Sequence, residues 1–170
     1  DNNQSNLDSG GAILIYASTG FTIHNCNFIN NSAHYGGAIS INSSQAIEFR
    51  QCRFEENQSI LYGGAIYLNA SSPSPIILQN CIFWKQLSTK GGAVYINNFM
   101  GMQCRIGGCL FESNNADFGG GVYIDKSEYE IRIVNIDNCI LWKNNAYSGG
   151  AIYSDSSIFK INYSTIVSNS

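Results

Sequence analysis

The chain has 170 residues, a net charge of −3 and a charged fraction of only 12%. Its nine lysines and arginines are scattered, and no repeated position is basic, so we expect no nucleic-acid partner. No apolar run approaches the roughly 20 residues that cross a bilayer as a helix, and we predict no transmembrane segment in this chain.

A glycine pair followed by a small residue and a β-branched residue recurs six times. The pairs begin at Gly10, Gly36, Gly63, Gly91, Gly119 and Gly149. A period of this length throughout a chain is typical of a solenoid, in which each repeat stacks on its neighbours. Glycine suits a corner between strands, because a corner often needs positive φ or close backbone approach. The structural corners that we predict include Gly36, Gly37, Gly63, Gly64, Gly91, Gly92, Gly149 and Gly150.

Each glycine pair is followed by three stretches in which apolar residues alternate with others. In the second repeat, the first stretch begins at Ile39, the second includes Ile47, and the third contains Cys52 and Phe54. Period-two alternation indicates strands with one buried face, and the short gaps leave no room for a helix. We therefore predict an all-β fold, a parallel β-helix of about six coils with about three short strands each.

The hand is expected to be right, by the general rule for parallel crossovers. Residues 1–170 are expected to form a single β-helix segment of a longer chain or filament. Residues one repeat apart then lie above one another, with two columns facing the axis. The predicted core positions are Cys26, Cys52, Cys81, Cys109, Cys139, Phe28, Phe54, Phe83 and Phe111.

The cysteines allow two interpretations. Disulfides between adjacent coils are geometrically conceivable, but we favour buried thiols that fill apolar space. We expect no metal site and no cofactor, because a parallel column gives no tetrahedral convergence.

Amide side chains form two further columns. One stands three residues after the phenylalanine position, and a second comprises Asn25, Gln51, Asn80 and Asn138. We predict side-chain amide ladders at both.

Four tyrosines form an outward column on consecutive coils: Tyr67, Tyr95, Tyr123 and Tyr153. An exposed aromatic stripe would bind sugar rings or another solenoid. The alternative is that stacked tyrosines only stabilise adjacent strands. A second aromatic set, Tyr35, Tyr62 and Phe118, is interpreted as corner packing, although Lys90 and Ser148 interrupt it. Trp84 and Trp142 share an outward position two coils apart and form another candidate interaction surface.

The paired Gly-Gly-Ala-Ile and Phe-x-x-Asn motifs resemble the repeat of the chlamydial polymorphic outer membrane proteins. The likeness runs from Gly10 to Asn169. Its departures are Gly121 at the Ala position, Gln86 at the Asn position, and Leu141 and Ile166 at the Phe position. The resemblance implies a secreted or cell-surface protein that adheres to surfaces or builds extracellular structures, and it implies no catalytic residue.

We therefore expect an extracellular structural or adhesive protein, not an enzyme. It would self-associate end to end or laterally, or join other surface proteins in a filament or appendage. The first alternative is a carbohydrate-binding module that uses the tyrosines, with glycans as partners. The second is a polysaccharide-active enzyme, which would need neighbouring carboxylates. Asp125 above Asp155 is the best such pair, but asparagines at the same position of other coils favour a turn-forming role.

Six Asn-x-Ser/Thr sequons occur, at Asn3, Asn30, Asn42, Asn57, Asn69 and Asn162. An Asn- and Ser-rich chain also makes sequons by chance. Our hypothesis is a eukaryotic secreted protein that carries glycan at one or more of Asn30, Asn42 and Asn69, where the chain is expected to turn on the surface.

Overall fold

The computed structural model describes residue 3 and residues 8–69, 75–97, 104–125 and 133–170. Within these ranges every regular element is a β-strand. None of the described residues belongs to a helix long and apolar enough to span a membrane.

Three parallel sheets of six strands each build the solenoid. The first sheet follows the glycine pairs and contains β1 (Ile13–Tyr16), β5 (Ile39–Asn42), β9 (Ile66–Asn69), β12 (Val94–Asn97), β16 (Val122–Ile124) and β20 (Ile152–Ser154). The second contains β2 (Thr19–His24), β6 (Gln45–Arg50), β10 (Ile76–Gln79), β13 (Cys104–Gly107), β17 (Ile133–Asp137) and β21 (Ile158–Asn162). The third contains β3 (Asn27–Ile29), β7 (Arg53–Glu55), β11 (Ile82–Trp84), β14 (Leu110–Glu112), β18 (Ile140–Trp142) and β22 (Thr165–Val167).

A short fourth strand lies between the third sheet and the next glycine corner. It is present as β4 (Ser32–Tyr35), β8 (Gln58–Tyr62), β15 (Asn115–Phe118) and β19 (Asn145–Ser148). These strands pair as β4–β8 and β15–β19, and single bridges at Leu87 and Lys90 continue the column between the two pairs. The prediction of about three strands per coil therefore missed this fourth element.

Equivalent residues of successive coils are paired in register. Phe83 is paired with Phe54 on one side and Phe111 on the other. Every strand neighbour within the three large sheets is parallel, and a full turn of the coil supplies each crossover. The predicted all-β parallel β-helix is confirmed.

The interior is filled by columns of like side chains. The phenylalanine rings stack with neighbouring centroids 4.8 to 5.0 Å apart and planes within 10° of parallel. The spacing between coils sets this distance, since paired strands lie about 4.8 Å apart. The buried members of the two columns are Phe28, Phe54, Phe83, Phe111, Cys52, Cys81, Cys109 and Cys139, and Cys26 is half-buried.

The two glycines of each corner are required for different reasons. The first adopts the left-handed conformation, with φ between 61° and 67° at Gly36, Gly63, Gly91 and Gly149. The second is packed against the next coil, and a Cβ built at Gly64 would collide with the carbonyl oxygen of Gly92. The same collision with the following coil arises at Gly37, Gly92 and Gly150.

The amide ladder after the phenylalanine column runs through the interior, and at Gln86 the backbone N–H instead of the side chain donates to the next member, Asn114. Asn31 Nδ2 donates to Asn57 Oδ1 at 2.9 Å, and Asn57 Nδ2 donates to Gln86 Oε1 at 3.0 Å. Asn114 Nδ2 donates to Asn144 Oδ1 at 2.8 Å. These bonds satisfy polar groups that would otherwise be costly to bury.

The second predicted amide ladder is wrong. Asn25, Gln51, Asn80 and Asn138 are exposed and adopt positive φ between 53° and 54°. Gly108 and Tyr163 adopt the same conformation at this position, so the corner keeps its shape in the later coils. The asparagines stand here because they tolerate the left-handed conformation better than most residues.

Candidate functional site

The tyrosine column projects from the outer face of the first sheet, on β9, β12, β16 and β20. Neighbouring tyrosines are paired in register, and their ring centroids are 5.5, 5.1 and 5.0 Å apart along the column. The interplanar angles of 14° to 16° describe a continuous stack.

This column does not face water, so the prediction of an exposed aromatic stripe is wrong. Only 8% of Tyr67, 2% of Tyr95 and 3% of Tyr123 is accessible, whereas Tyr153 is half-buried. The residues that end the fourth strand cover the rings. Tyr62 stacks on Tyr95 with centroids 4.6 Å apart.

The cover follows from the glycine corner. The corner places the residue before each glycine pair beside the tyrosine of the next coil along the axis. Tyr35 lies 5.4 Å from Tyr67 and Phe118 lies 5.5 Å from Tyr153, measured between ring centroids. The set interpreted as corner packing is thus the lid of a second apolar cluster, separate from the axial core.

Lys90 occupies the position of an aromatic residue in this lid. Its Nζ lies 5.6 Å from the ring centroid of Tyr62 and 5.1 Å from that of Tyr123. Cation–π attraction therefore holds the ammonium where Tyr35, Tyr62 and Phe118 use rings. In the sequence Lys90 only interrupts the aromatic pattern, and nothing there indicates that it joins the cluster.

The hydroxyl ends of the tyrosines meet the Asn/Asp column of the following coil. Tyr95 Oη donates a hydrogen bond to the carboxylate of Asp125. Burial raises the pKa of Tyr95 above its usual range, and the bond and charge of Asp125 add to the shift. Burial also raises the pKa of Tyr67, although a hydrogen bond with Asn97 opposes the shift, and it raises that of Tyr123 to about 12. The hydroxyls are therefore neutral donors at physiological pH.

Asp125 and Asp155 follow the paired residues Ile124 and Ser154 on adjacent coils, so they lie in one column as the sequence suggested. The carboxylate of Asp125 receives the Tyr95 hydroxyl, and that of Asp155 accepts from Ser156 Oγ at 3.1 Å. Within the described ranges, no three His, Cys, Asp or Glu residues are grouped so as to hold a metal ion.

All six thiols are free. The amide of Cys81 donates to the sulfur of Cys109 at 3.4 Å, and Cys109 donates likewise to Cys139. Burial raises the pKa of Cys104 to about 12. The bond with Cys139, together with burial, raises the pKa of Cys109 well above its ordinary value. Cys104 and Cys109 are therefore poor nucleophiles, and they pack and hydrogen-bond in the core.

The two tryptophans project from the outer face of the third sheet, on β11 and β18. Glu112 of β14 lies in register between Trp84 and Trp142. Lys85 Nζ lies 4.2 Å from the ring centroid of Trp84, and Lys143 Nζ lies 4.4 Å from that of Trp142. Both rings are half-buried and face outward, so this surface is accessible where the tyrosine column is not.

The predicted glycan acceptors differ in exposure. Asn30 is exposed at a corner with φ of 54°. Asn42 and Asn69 are half-buried, and Asn69 Nδ2 donates to Asn42 Oδ1 at 3.5 Å. Asn57, in another sequon, is fully buried in the amide ladder.

A family model described as a right-handed β-helix region matches residues 1–170. No curated protein and no solved structure matches the chain. The match covers every coil, including the tyrosine cluster and the tryptophan face.

Proposed function

The chain belongs to the right-handed β-helix family, and from this premise we propose that it is an extracellular structural or adhesive solenoid that self-associates. The fold suits surface and extracellular proteins in general. The likeness of the repeat to that of chlamydial polymorphic outer membrane proteins supports a cell-surface setting. The sparse charge and abundant amide side chains support it too.

The observation that carries the proposal is the in-register stacking of like coils, which continues to β20, β21 and β22. Phe159 and Ile161 are each 36% exposed there, and Ile166 is 47% exposed. Their equivalents one coil earlier are buried, as Ile136 and Leu141 show at 0%. Open strand edges and exposed apolar side chains together form a template for a further coil.

The opposite edge, at β1 to β3, presents the complementary surface. Ile13, Ile15, Phe21 and Ile23 are half-buried, although they continue columns that are buried in later coils. A further coil, supplied by the same chain or by a second copy stacked end to end, would extend all three sheets and cover these side chains. Burying each such side chain contributes roughly 1.5 to 3 kcal/mol before the entropic cost of association.

The carbohydrate-binding alternative that uses the tyrosines loses its support, because Tyr62 and its equivalents cover the rings. The enzyme alternative rested on Asp125, whose carboxylate is engaged by a buried tyrosine. We therefore assign the chain no reaction.

Sedimentation velocity over a range of concentrations tests the proposal, with electron microscopy of the same samples. We expect larger species at high concentration, and association at least tenfold weaker in Phe159→Lys and Ile166→Lys. Ile60→Lys is the matched control, because Ile60 is 56% exposed on β8, which is paired with a neighbouring coil on both sides. A chain that remains monomeric throughout, or an equal loss in the control, would refute end-to-end association.

A further inference from the structure

The outer face of the third sheet carries a repeated unit that the proposed function does not use. The dipeptide Trp-Lys occurs at 84–85 and again at 142–143, at the same position of coils separated by one intervening coil. Neighbouring parallel strands lie about 4.8 Å apart, so the two tryptophans are about 10 Å apart along the axis.

Each tryptophan is accompanied by a lysine at a fixed corner. Lys85 and Lys143 both have φ of 54°, which turns the chain just after the strand and directs the ammonium toward the preceding ring. The intervening coil has Glu112 in the tryptophan position. The lysine ammonium groups therefore lie over the tryptophan rings, the guanidinium of Arg53 also lies over Trp84, and a carboxylate lies between the two tryptophans.

A row of aliphatic residues borders the tryptophans at the start of the strands, whereas the lysines lie at their end. Ile82, Leu110 and Ile140 are paired in register two residues before the Trp/Glu/Trp row, and Ile140 is 47% exposed. The face thus offers apolar area in a straight strip along the axis, which suits a linear ligand.

The charges of this face balance. The cations are Arg53, Lys85 and Lys143, and the anions are Glu55, Glu56 and Glu112. Arg53 Nε pairs with Glu55 at 2.9 Å, and Lys85 Nζ pairs with Glu56 at 3.4 Å. A polyanion would gain little from such a surface, because attraction and repulsion nearly cancel. A neutral ligand rich in hydroxyl groups matches it.

We propose that this face binds a neutral, extended β-1,4-linked polysaccharide that lies along the solenoid axis. In such a chain alternate sugar units repeat the same orientation, and the distance between the tryptophans is close to that disaccharide repeat. Two sugar rings stack on Trp84 and Trp142, since each indole offers a large flat apolar surface. Glu112 accepts hydrogen bonds from hydroxyls of the unit between them, and the lysines donate to ring and hydroxyl oxygens.

Calorimetry with cellohexaose, chitohexaose and mannohexaose on the 170-residue chain tests this inference. We expect at least one hexasaccharide to bind, and Trp84→Ala and Trp142→Ala each to weaken its binding about fivefold to tenfold. The corresponding disaccharide should bind far more weakly, because it reaches only one tryptophan. Tyr147→Ala, which removes an exposed aromatic ring elsewhere, should leave binding unchanged.

Three results would overturn the inference. The first is failure of all three hexasaccharides to bind. The second is binding of polygalacturonate alone, lost on Lys85→Ala, which would make the ligand acidic. The third is loss of self-association in the tryptophan variants without any glycan binding, which would assign the face to a second copy. The tryptophan variants do not alter the residues tested for self-association, so the two proposals can fail separately. A chain that binds glycan but stays monomeric would refute the proposed self-association and support this inference.

Discussion

The hydroxyl of Tyr95 on one coil donates a hydrogen bond to the carboxylate of Asp125 on the next. This bond ties the buried tyrosine stack to the surface column that follows it. An outward column of a sheet is thereby converted into a second core, in which the hydroxyls of Tyr67 and Tyr95 are hydrogen-bonded to the next coil. The cluster is expected to stabilise the later coils, and its parts can be tested one by one.

We expect Tyr95→Phe to lower the free energy of unfolding by about 1 to 3 kcal/mol, because it removes the hydrogen bond to a carboxylate and keeps the ring. Urea denaturation followed by circular dichroism measures the change. Tyr153→Phe is the matched control, since the hydroxyl of Tyr153 has no hydrogen bond among the described residues and its ring is half-buried. Equal effects of the two variants would contradict the importance of the bond.

Stability should fall at alkaline pH. The folded pKa of Tyr123 is raised to about 12, and those of Tyr67 and Tyr95 are also raised, chiefly by burial. The folded state therefore retains protons that the unfolded state loses above pH ~10, and stability declines from there through the folded pKa. Absorbance at ~295 nm reports phenolate, so the buried tyrosines should form phenolate only well above pH ~10. A single shared transition near the ordinary pKa of tyrosine would show that the cluster is open.

Gly92→Val should destabilise the fold by several kcal/mol. Its Cβ would collide with the carbonyl oxygen of Gly120 and lie 2.9 Å from that of Asn115, which are both backbone atoms of the next coil. Gly20→Ala serves as the control for conformational strain alone, because Gly20 has φ of 65° but open space around the added Cβ. Thermal unfolding compares the two, and an unchanged melting temperature for Gly92→Val would contradict the close approach of the coils.

The reactivity of the thiols toward an alkylating reagent should follow their burial. Iodoacetamide under native conditions is expected to modify Cys26, which is half-buried, and to leave Cys81, Cys104 and Cys109 unmodified. Denaturant without reductant should then bring the total to six modified thiols, counted by mass spectrometry. Fewer than six additions after denaturation, restored by reductant, would mean that disulfides link the coils.

Expression in a secretory host is expected to place glycan on Asn30 and none on Asn57. Both lie in sequons, but Asn30 is exposed, while Asn57 Nδ2 donates to Gln86 Oε1 at 3.0 Å inside the amide ladder. Peptide mass spectrometry reads both sites, and Asn30→Gln should remove the increment. Occupancy at Asn57, or none at Asn30, would contradict this expectation.

The sequence was sufficient to predict the solenoid because the repeat along the chain coincides with the pattern of buried positions in the coils. A residue such as Phe83 must stack on its equivalents once the glycine corners fix the length of the coil, and alternation then decides which side chains face the axis. The same reasoning wrongly predicts that Tyr95 is exposed. Alternation distinguishes inward from outward side chains, but it does not indicate what packs on the outer face of a sheet. It also took the exposed Asn80 for a ladder member, although the position selects residues for the left-handed conformation.

The amino-acid sequence by itself determined the repeat, the parallel strands and the stacking of like upon like, since these follow from local periodicity. Only the tertiary structure decided that the corner folds Tyr62 over Tyr95 while Trp84 stays accessible. The physical reason is that burial of an outward side chain depends on how sharply the chain turns at its glycine corner. That turn brings together residues whose spacing along the chain carries no alternating pattern.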